Sequence, residues 1–371
     1  MMHDLKYLWT CLSLYFFVGS VQASCLIDLA HLSANYVYLS NNNGVYDIQR
    51  SDIVEIGRTV YLLCNVGLLP TAFQCQFNSV FSPALGSPAC APPDPVVINV
   101  QDTSCPFPST TFAVGFNFNG RFMELYRNCF DVSSLAFQHS IYKAYRYVNN
   151  AQRINAQWKS DQISGQFDNA YERRTTQACL STTLGAGQPQ CKFDRGHMTP
   201  ASAFISTALK KSTFRYLNAI PQYQGVNRGK WKAVETWVNN MVRGLYDNPT
   251  INNVQIPRTY NVLKVCIGAL GVHRLKHNTN NNMMPIYLLN NNQIPVPEWM
   301  YKIVSHLSGD KWVMLSYNHV DSPSQQALNQ ICQAIPCHPG LNLNTRAGGH
   351  TVCCQPNTFI TNNAPHLTGV C

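Results

Sequence analysis

Asp194, Arg195, Gly196 and His197 stand side by side near the middle of a 371-residue chain. A histidine can exchange a proton near neutral pH. Arginine, two positions before it, brings a permanent charge and a planar fork suited to phosphate. The glycine between them lets the backbone turn or approach another group closely. Aspartate could orient a base or hold an arginine. An ion pair beside a structural histidine would give the same neighbours, so the four residues alone do not establish chemistry. Their context adds two more groups. DRGHMTPASAF is followed by RYLNAIPQYQ and then NRGKWKAVE, which bring an amide at Asn227 and a carboxylate at Glu235.

Those groups need elements to hold them. From Asn227 onward, apolar residues recur at Trp231, Val234, Val238, Met241, Val242 and Leu245, the spacing of a helix with one buried face. At about 100° per residue, Asn227 and Glu235 would lie roughly 80° apart, beside the apolar stripe. A carboxylate there is expected to be partly buried and to need a partner. FAVGFNFNGRFMELYRNCF (112–130) alternates around Asn119-Gly120, a strong hairpin signal. Residues 261–270, 300–307 and 311–317 read as further strands. Mixed strands, hairpins and helices indicate an α+β domain over 110–371. Ahead of it, 24–90 reads as a small β-rich, disulfide-bonded unit with strands near 44–48 and 60–64. A Pro-rich run then suggests a linker over 91–109.

Composition narrows the setting. Residues 1–23 read as a secretory signal, with an apolar run from Tyr7 to Val18 and small residues at its end. That run is shorter than the roughly 20 residues of a membrane span. Of 15 cysteines, Cys11 leaves with the signal, and an even set remains, as disulfides in an exported protein require. A zinc site at Cys332, Cys337, His338, His350, Cys353 and Cys354 is the competing expectation; the spacing lacks a C-x-x-C pair. Lys and Arg outnumber Asp and Glu by 27 to 18, for a net charge of +9. Such a surplus attracts polyanions, nucleic acid among them.

The motif set resembles the DNA/RNA non-specific endonuclease family, the ββα-metal nucleases. It is similar above all to the secreted arthropod nucleases, the group of crab duplex-specific nuclease and insect double-stranded ribonucleases. The resemblance runs from about residue 110 to the C-terminus. It implies a central, mostly antiparallel sheet flanked by helices, and an endonuclease that leaves 5′-phosphate ends on DNA, RNA or both. It makes His197 the general base, Asn227 the direct ligand of Mg²⁺ (or Mn²⁺), and Glu235 a ligand through water. Arg195 would contact phosphate or the catalytic loop, with Asp194 and Gly196 in support. AQRINAQWKSD (151–161) looks like the family's R-x-W-K-x-D stretch and points to Arg153, with Arg146, Arg173 and Arg174 as other positions. VCIGAL looks like its T-G-P-L strand, with Cys266 and Ala269 as departures. Where some members carry an arginine one turn after Glu235, this chain has Asn239; Arg228, Lys230 and Arg243 could compensate. Arg228, Lys230 and Gln222 are expected to bind substrate, and Tyr223, Trp231 and Trp237 either stack on bases or fill the core. The remaining histidines are expected to be structural or exposed. A second class of function, a secreted nucleic-acid binder whose nuclease activity is weak or lost, shares the charge and the motifs. Turnover separates the two.

Overall fold

The structure, a computed structural model, describes residues 24–64, 70–86, 91–172, 193–245, 250–251, 254–255, 260–277, 279–280 and 282–371. The expected signal at 1–23, and Arg173 and Arg174, lie outside them.

A nine-stranded antiparallel sheet carries the main body. Its strands are β1 (Val96–Val100), β2 (Thr110–Phe118), β3 (Arg121–Asp131), β4 (Ala136–Tyr145), β7 (Val262–Leu270), β8 (Trp299–Ser305), β9 (Lys311–Tyr317), β10 (Ala334–Ile335) and β11 (His350–Cys354). The order across the sheet is β10-β11-β9-β8-β7-β4-β3-β2-β1. Asn119 (φ 48°) and Gly120 (φ 72°) make the two-residue turn between β2 and β3, whose backbone twist matches the strands it joins. β1 falls inside the stretch expected to be a linker. Pro-rich sequence precedes it, yet Val96, Val97 and Ile98 have the branched side chains that suit an edge strand, and β2 supplies the partner.

Two short strands, β5 (Phe193–His197) and β6 (Ala219–Tyr223), come after the short helix α1 (Phe167–Tyr171) and pair outside this sheet. After them come α2 (Gln224–Arg228) and α3 (Lys230–Val242). Strand, strand and helix thus form the ββα unit that was expected. The helix is not continuous from Asn227, however. Gly229 has φ −92° and ψ −127° and breaks it, and a Cβ there would overlap the carbonyls of Gly225, Ala347 and Gly348. Asn227 therefore sits one short helix before Glu235, and the azimuth that a single helix would give does not apply.

α3 lies on one face of the sheet, called the front here. Trp231, Val234, Trp237, Val238, Met241 and Val242 face Leu263, Val265, Ile267, Met300, Val304 and Met314 in one core. Leu245, expected on the buried stripe, is past the helix end and exposed. On the back face, α4 (Gln325–Ile331), α5 (Pro356–Asn363) and the last residues cover Trp299, Tyr301, Ile303, Val313 and Leu315.

Residues 24–82 form a five-stranded sheet with the order 45–48, 37–42, 59–63, 71–75, 81–82, beside a strand pair of 24–26 and 53–55. This unit docks on the large sheet. The Asp52 carboxylate, fully buried, accepts from the backbone N–H groups of Val148 (2.9 Å) and Asn149 (2.6 Å). Arg50 donates to the Glu124 carbonyl and lies 5.5 Å from the Tyr145 ring centroid, and Tyr46 meets Phe118 edge-on at 5.1 Å.

Disulfides join Cys25–Cys75, Cys105–Cys129, Cys266–Cys371, Cys332–Cys354 and Cys337–Cys353. The zinc alternative for the C-terminal cluster fails on this pairing, since all four of its thiols are used. Cys266, a departure from the family's strand, ties β7 to the C-terminal residue.

Candidate active site

β5 and β6 position the four-residue cluster by register. Asp194 faces Gln222, Arg195 faces Pro221, Gly196 faces Ile220 and His197 faces Ala219. β6 is in turn fixed by two asparagines. Asn218 accepts from the Thr199 N–H (2.8 Å) and donates to the carbonyls of Thr199 (2.9 Å) and Thr213 (3.0 Å). Asn318 donates to the carbonyls of Pro221 (3.0 Å) and Pro297 (2.9 Å) and accepts from the Tyr223 N–H at 3.0 Å. Buried backbone groups at a strand end need such partners. Gly196 is required by close approach, because a Cβ there would overlap the Gln222 amide.

Gln222 itself is fully buried, and neither of its side-chain polar atoms has a hydrogen-bond partner among the described residues. It packs behind Gly196, shielded from solvent. Tyr223, Trp231 and Trp237 are buried as well, so they belong to the core and offer no face to a base.

His197 lies between two aromatic rings, with centroids 4.6 Å from Trp158 and 4.7 Å from Phe214. Its Nε2 is enclosed and has no hydrogen-bond partner among the described residues. Burial pushes its pKa down to about 4; the Glu235 charge raises it, and Arg153 and Lys232 lower it further. The imidazole is therefore neutral at pH 7 and able to accept a proton.

Asp194 organises the other side. Its carboxylate accepts from Asn227 Nδ2 (2.9 Å), Gln224 Nε2 (3.3 Å) and Arg228 Nε (3.1 Å). Committing Nδ2 to Asp194 leaves the Asn227 Oδ1 as the oxygen that is free to meet a cation. Glu235 is 7% exposed, as a carboxylate beside an apolar stripe was expected to be, and its Oε2 is 2.9 Å from Lys232 Nζ. Burial alone would raise its pKa, but Lys232 and then Lys302 outweigh that and hold it below the ordinary carboxylate range.

Arg195 is stacked over three rings, at 5.9 Å from Trp158, 5.9 Å from Tyr171 and 5.5 Å from Tyr216, and pairs with Asp168 at 3.4 Å. The aromatic cage fixes its plane while leaving it partly exposed.

His197 and Glu235 thus feel each other's charge, while Asn227 and Arg228 are bonded to Asp194 of the strand that ends in His197. DNA/RNA non-specific endonucleases match this chain over residues 107–359. The chain belongs to that family. A salivary endonuclease of Lutzomyia longipalpis is 25% identical over 271 residues, which span 68% of this chain and 60% of that relative's length. A chain in the crystal structure of the EndoG/EndoGI complex is 18% identical, with a TM-score of 0.36, across 57% of this chain and 82% of its own.

Trp158, Lys210 and Lys302 support the cluster and were not assigned from sequence. Trp158 of the R-x-W-K-x-D stretch walls His197, and its Asp161 pairs with the buried Arg215. Lys210 is buried, and its Nζ donates to the carbonyls of Ala151 and Gln152, holding the loop that leads to Arg153. Arg153 is exposed, and its charge is felt at His197. Lys302, on the front of β8, is 0% exposed; its Nζ is 4.7 Å from the Trp231 ring centroid, one helical turn before Glu235. Burial pushes the Lys302 ammonium down to about 8, and Glu235 acts against that. A lysine inside the strand MYKIVSHL breaks an apolar run, which is the signal that could have marked it.

Arg146 and Arg243 are not part of this cluster by any contact; Arg243 stacks on Tyr147 at 5.6 Å. Arg228 is exposed and paired to Asp194, while the Lys230 N–H donates to the Gly348 carbonyl at 3.0 Å.

Proposed function

We propose that the protein is a secreted, Mg²⁺-dependent endonuclease that hydrolyses phosphodiester bonds in DNA, RNA or both and leaves 5′-phosphate ends. The observation that carries the reading is Asp194 binding the amide nitrogen of Asn227, within the same strand that ends in His197. That hydrogen bond commits the nitrogen and frees the oxygen.

The donor set suits a hard divalent ion. Asn227 would hold it by Oδ1 and Glu235 through water, and among the described residues there is no group of three or more His, Cys, Asp or Glu side chains able to cage a metal. A site with few protein ligands and several waters is the kind Mg²⁺ occupies. When bound, the ion would supply positive charge to the phosphate undergoing displacement. The protein supplies the rest. His197 takes a proton from the attacking water. Arg195, held by its aromatic cage, meets the charge that develops on the phosphate oxygens. Arg153, Arg228 and Lys230 attract and hold the flanking backbone. Lys232 and Lys302 keep Glu235 ionised.

Export is supported by the disulfides and by the expected signal over 1–23, removal of which would start the mature chain at Ser24. Residues 24–90 and 110–371 are then two units of one exported chain. The test is cleavage of plasmid DNA and double-stranded RNA by the secreted protein, with Mg²⁺, with Mn²⁺ and with EDTA, beside His197→Ala. Metal-dependent cutting that the variant loses supports the enzyme. Salt-sensitive binding without cutting in any condition would replace it with a nucleic-acid binder.

A further inference from the structure

Arg121, Lys143 and Lys264 have no part in the chemistry above. They line a cleft on the back of the sheet. Tyr142 faces front, where its hydroxyl feels the Glu235 charge, so the two-residue period of β4 turns Lys143 to the other side. Lys264 is the residue paired with Lys143 across β4 and β7, and it shares that face. The cleft is a gap between two covering layers. Asp47 and Arg50 of the N-terminal unit border it, as does Val370 near the C-terminus, and β3, β4 and β7 form its floor. Its volume is about 480 Å³, within the range of ligand sites, roughly 300–1,000 Å³.

Charge in the cleft is not balanced. Its acids are Asp47, Asp102 and Glu124. Arg127 takes Glu124 (2.7 Å) and Asp102 (2.7 Å), and Arg50 takes Asp47 at 3.4 Å. Arg121, Lys143 and Lys264 then have no ion-pair partner among the described residues. Two of them oppose each other directly, an arrangement that antiparallel pairs disfavour. Burial, then the Lys143 and Arg127 charges, hold the Lys264 ammonium below its ordinary pKa, and the Asp102 charge offsets them only in part. The fold gains nothing from two facing ammonium groups, whereas an anion lying between them would be bound by both.

We propose that this back-face cleft is a second nucleic-acid site, which grips the phosphate backbone of a strand away from the reaction centre. The inference rests on nucleic acid being the substrate. Arg121 and Lys143 are exposed, so a continuous strand can cross the cleft, and Phe122 on its lining offers ring surface beside the cations. A long substrate would then be held on both faces of one sheet while it is cut on the front.

The experiment compares Lys143→Gln/Lys264→Gln with its parent, both in the His197→Ala background for binding and with His197 intact for cleavage. The probes are a long DNA duplex, a duplex too short to reach both faces, and heparin. The double variant is expected to bind the long duplex several-fold more weakly, with the slope of log affinity against log salt reduced by about 2. Its binding and cleavage of the short duplex should match the parent, and its unfolding temperature should not fall. Unchanged long-duplex affinity and slope would overturn the proposal, as would an equal loss for both lengths. A loss confined to heparin would overturn it in favour of a sulfated glycan. If the parent with His197 intact cuts nothing, the endonuclease reading fails separately, and the binding comparison still decides the cleft.

Discussion

Tyr142 and Lys143 are chain neighbours on β4, yet the charges around them are organised in opposite ways. On the front, the buried Glu235 pairs with the part-exposed Lys232, and the buried Lys302 feels its charge without a hydrogen bond to it among the described residues. On the back, Lys143 and Lys264 oppose each other, and neither has an ion-pair partner among the described residues, although Lys264 feels the Asp102 charge. The difference follows from solvent. A charge taken out of water must be compensated within the fold, because its desolvation is otherwise too costly. A charge that water still reaches can stay unpaired, and it is then available to a ligand. On the front, cations are set against an acid; on the back, two cations are set against each other.

The largest effect expected belongs to the front. His197→Ala should reduce cleavage by about 10²–10⁴-fold, the range for a lost general base, while nucleic-acid affinity stays near that of the parent. Cleavage at the parental rate would show that the base lies elsewhere.

Next comes the compensation itself. Glu235→Gln leaves Lys302 buried without a counter-charge and should lower stability by about 3 kcal/mol. Adding Lys302→Met should recover most of that loss, and denaturant unfolding of both single variants and the double completes the cycle. Purely additive losses would mean that the two charges do not compensate each other.

A third prediction concerns buried histidines away from the site. His139 and His273 are each 2% exposed, and burial, aided by His366 and His319 respectively, pushes both pKa values down to about 4. Their folded values lie below the unfolded one, so the unfolded chain takes up protons first as pH falls. Stability is therefore full above about pH 6.5 and falls from there towards pH 4, by about 3 kcal/mol for each histidine. Neither ring nitrogen of His273 has a partner among the described residues. His273→Phe should thus unfold at higher temperature at pH 5 and flatten the profile; a profile as steep as the parent's would assign the slope to other groups.

The smallest effect tests the join between the two units. Asp52→Asn weakens the acceptor for the Val148 and Asn149 N–H groups and should cost about 1 kcal/mol. Because that segment leads into the Arg153 loop, KM for a short duplex should rise slightly with kcat unchanged. A fall in kcat alone would place the segment's influence on the reacting groups instead.

The strands were legible because each repeats a simple pattern. Asn119-Gly120 marked its hairpin, and alternation marked β7, β8 and β9. The residues proposed for the site, His197, Asn227 and Glu235, are ones whose chemistry is written in residue type. It was not legible where function depends on distance. Gln222 sits in a motif that suggested substrate, and only pairing with β5 shows that it packs behind Gly196. Trp231 and Trp237 have rings able to stack on bases, but helix packing uses them. The helix itself was read as starting too early, because periodicity does not register a backbone break forced by the approach of Gly348.

The sequence by itself determined the family, the strand and helix periods, and the identities of the reactive groups, since these rest on local pattern and side-chain type. Tertiary structure alone decided which carboxylate each cation meets. Lys302 and Glu235 are 67 positions apart and Lys143 and Lys264 are 121 apart, and no local rule links them. Sheet register brought the first lysine under α3 beside an acid, and the second pair face to face over open solvent.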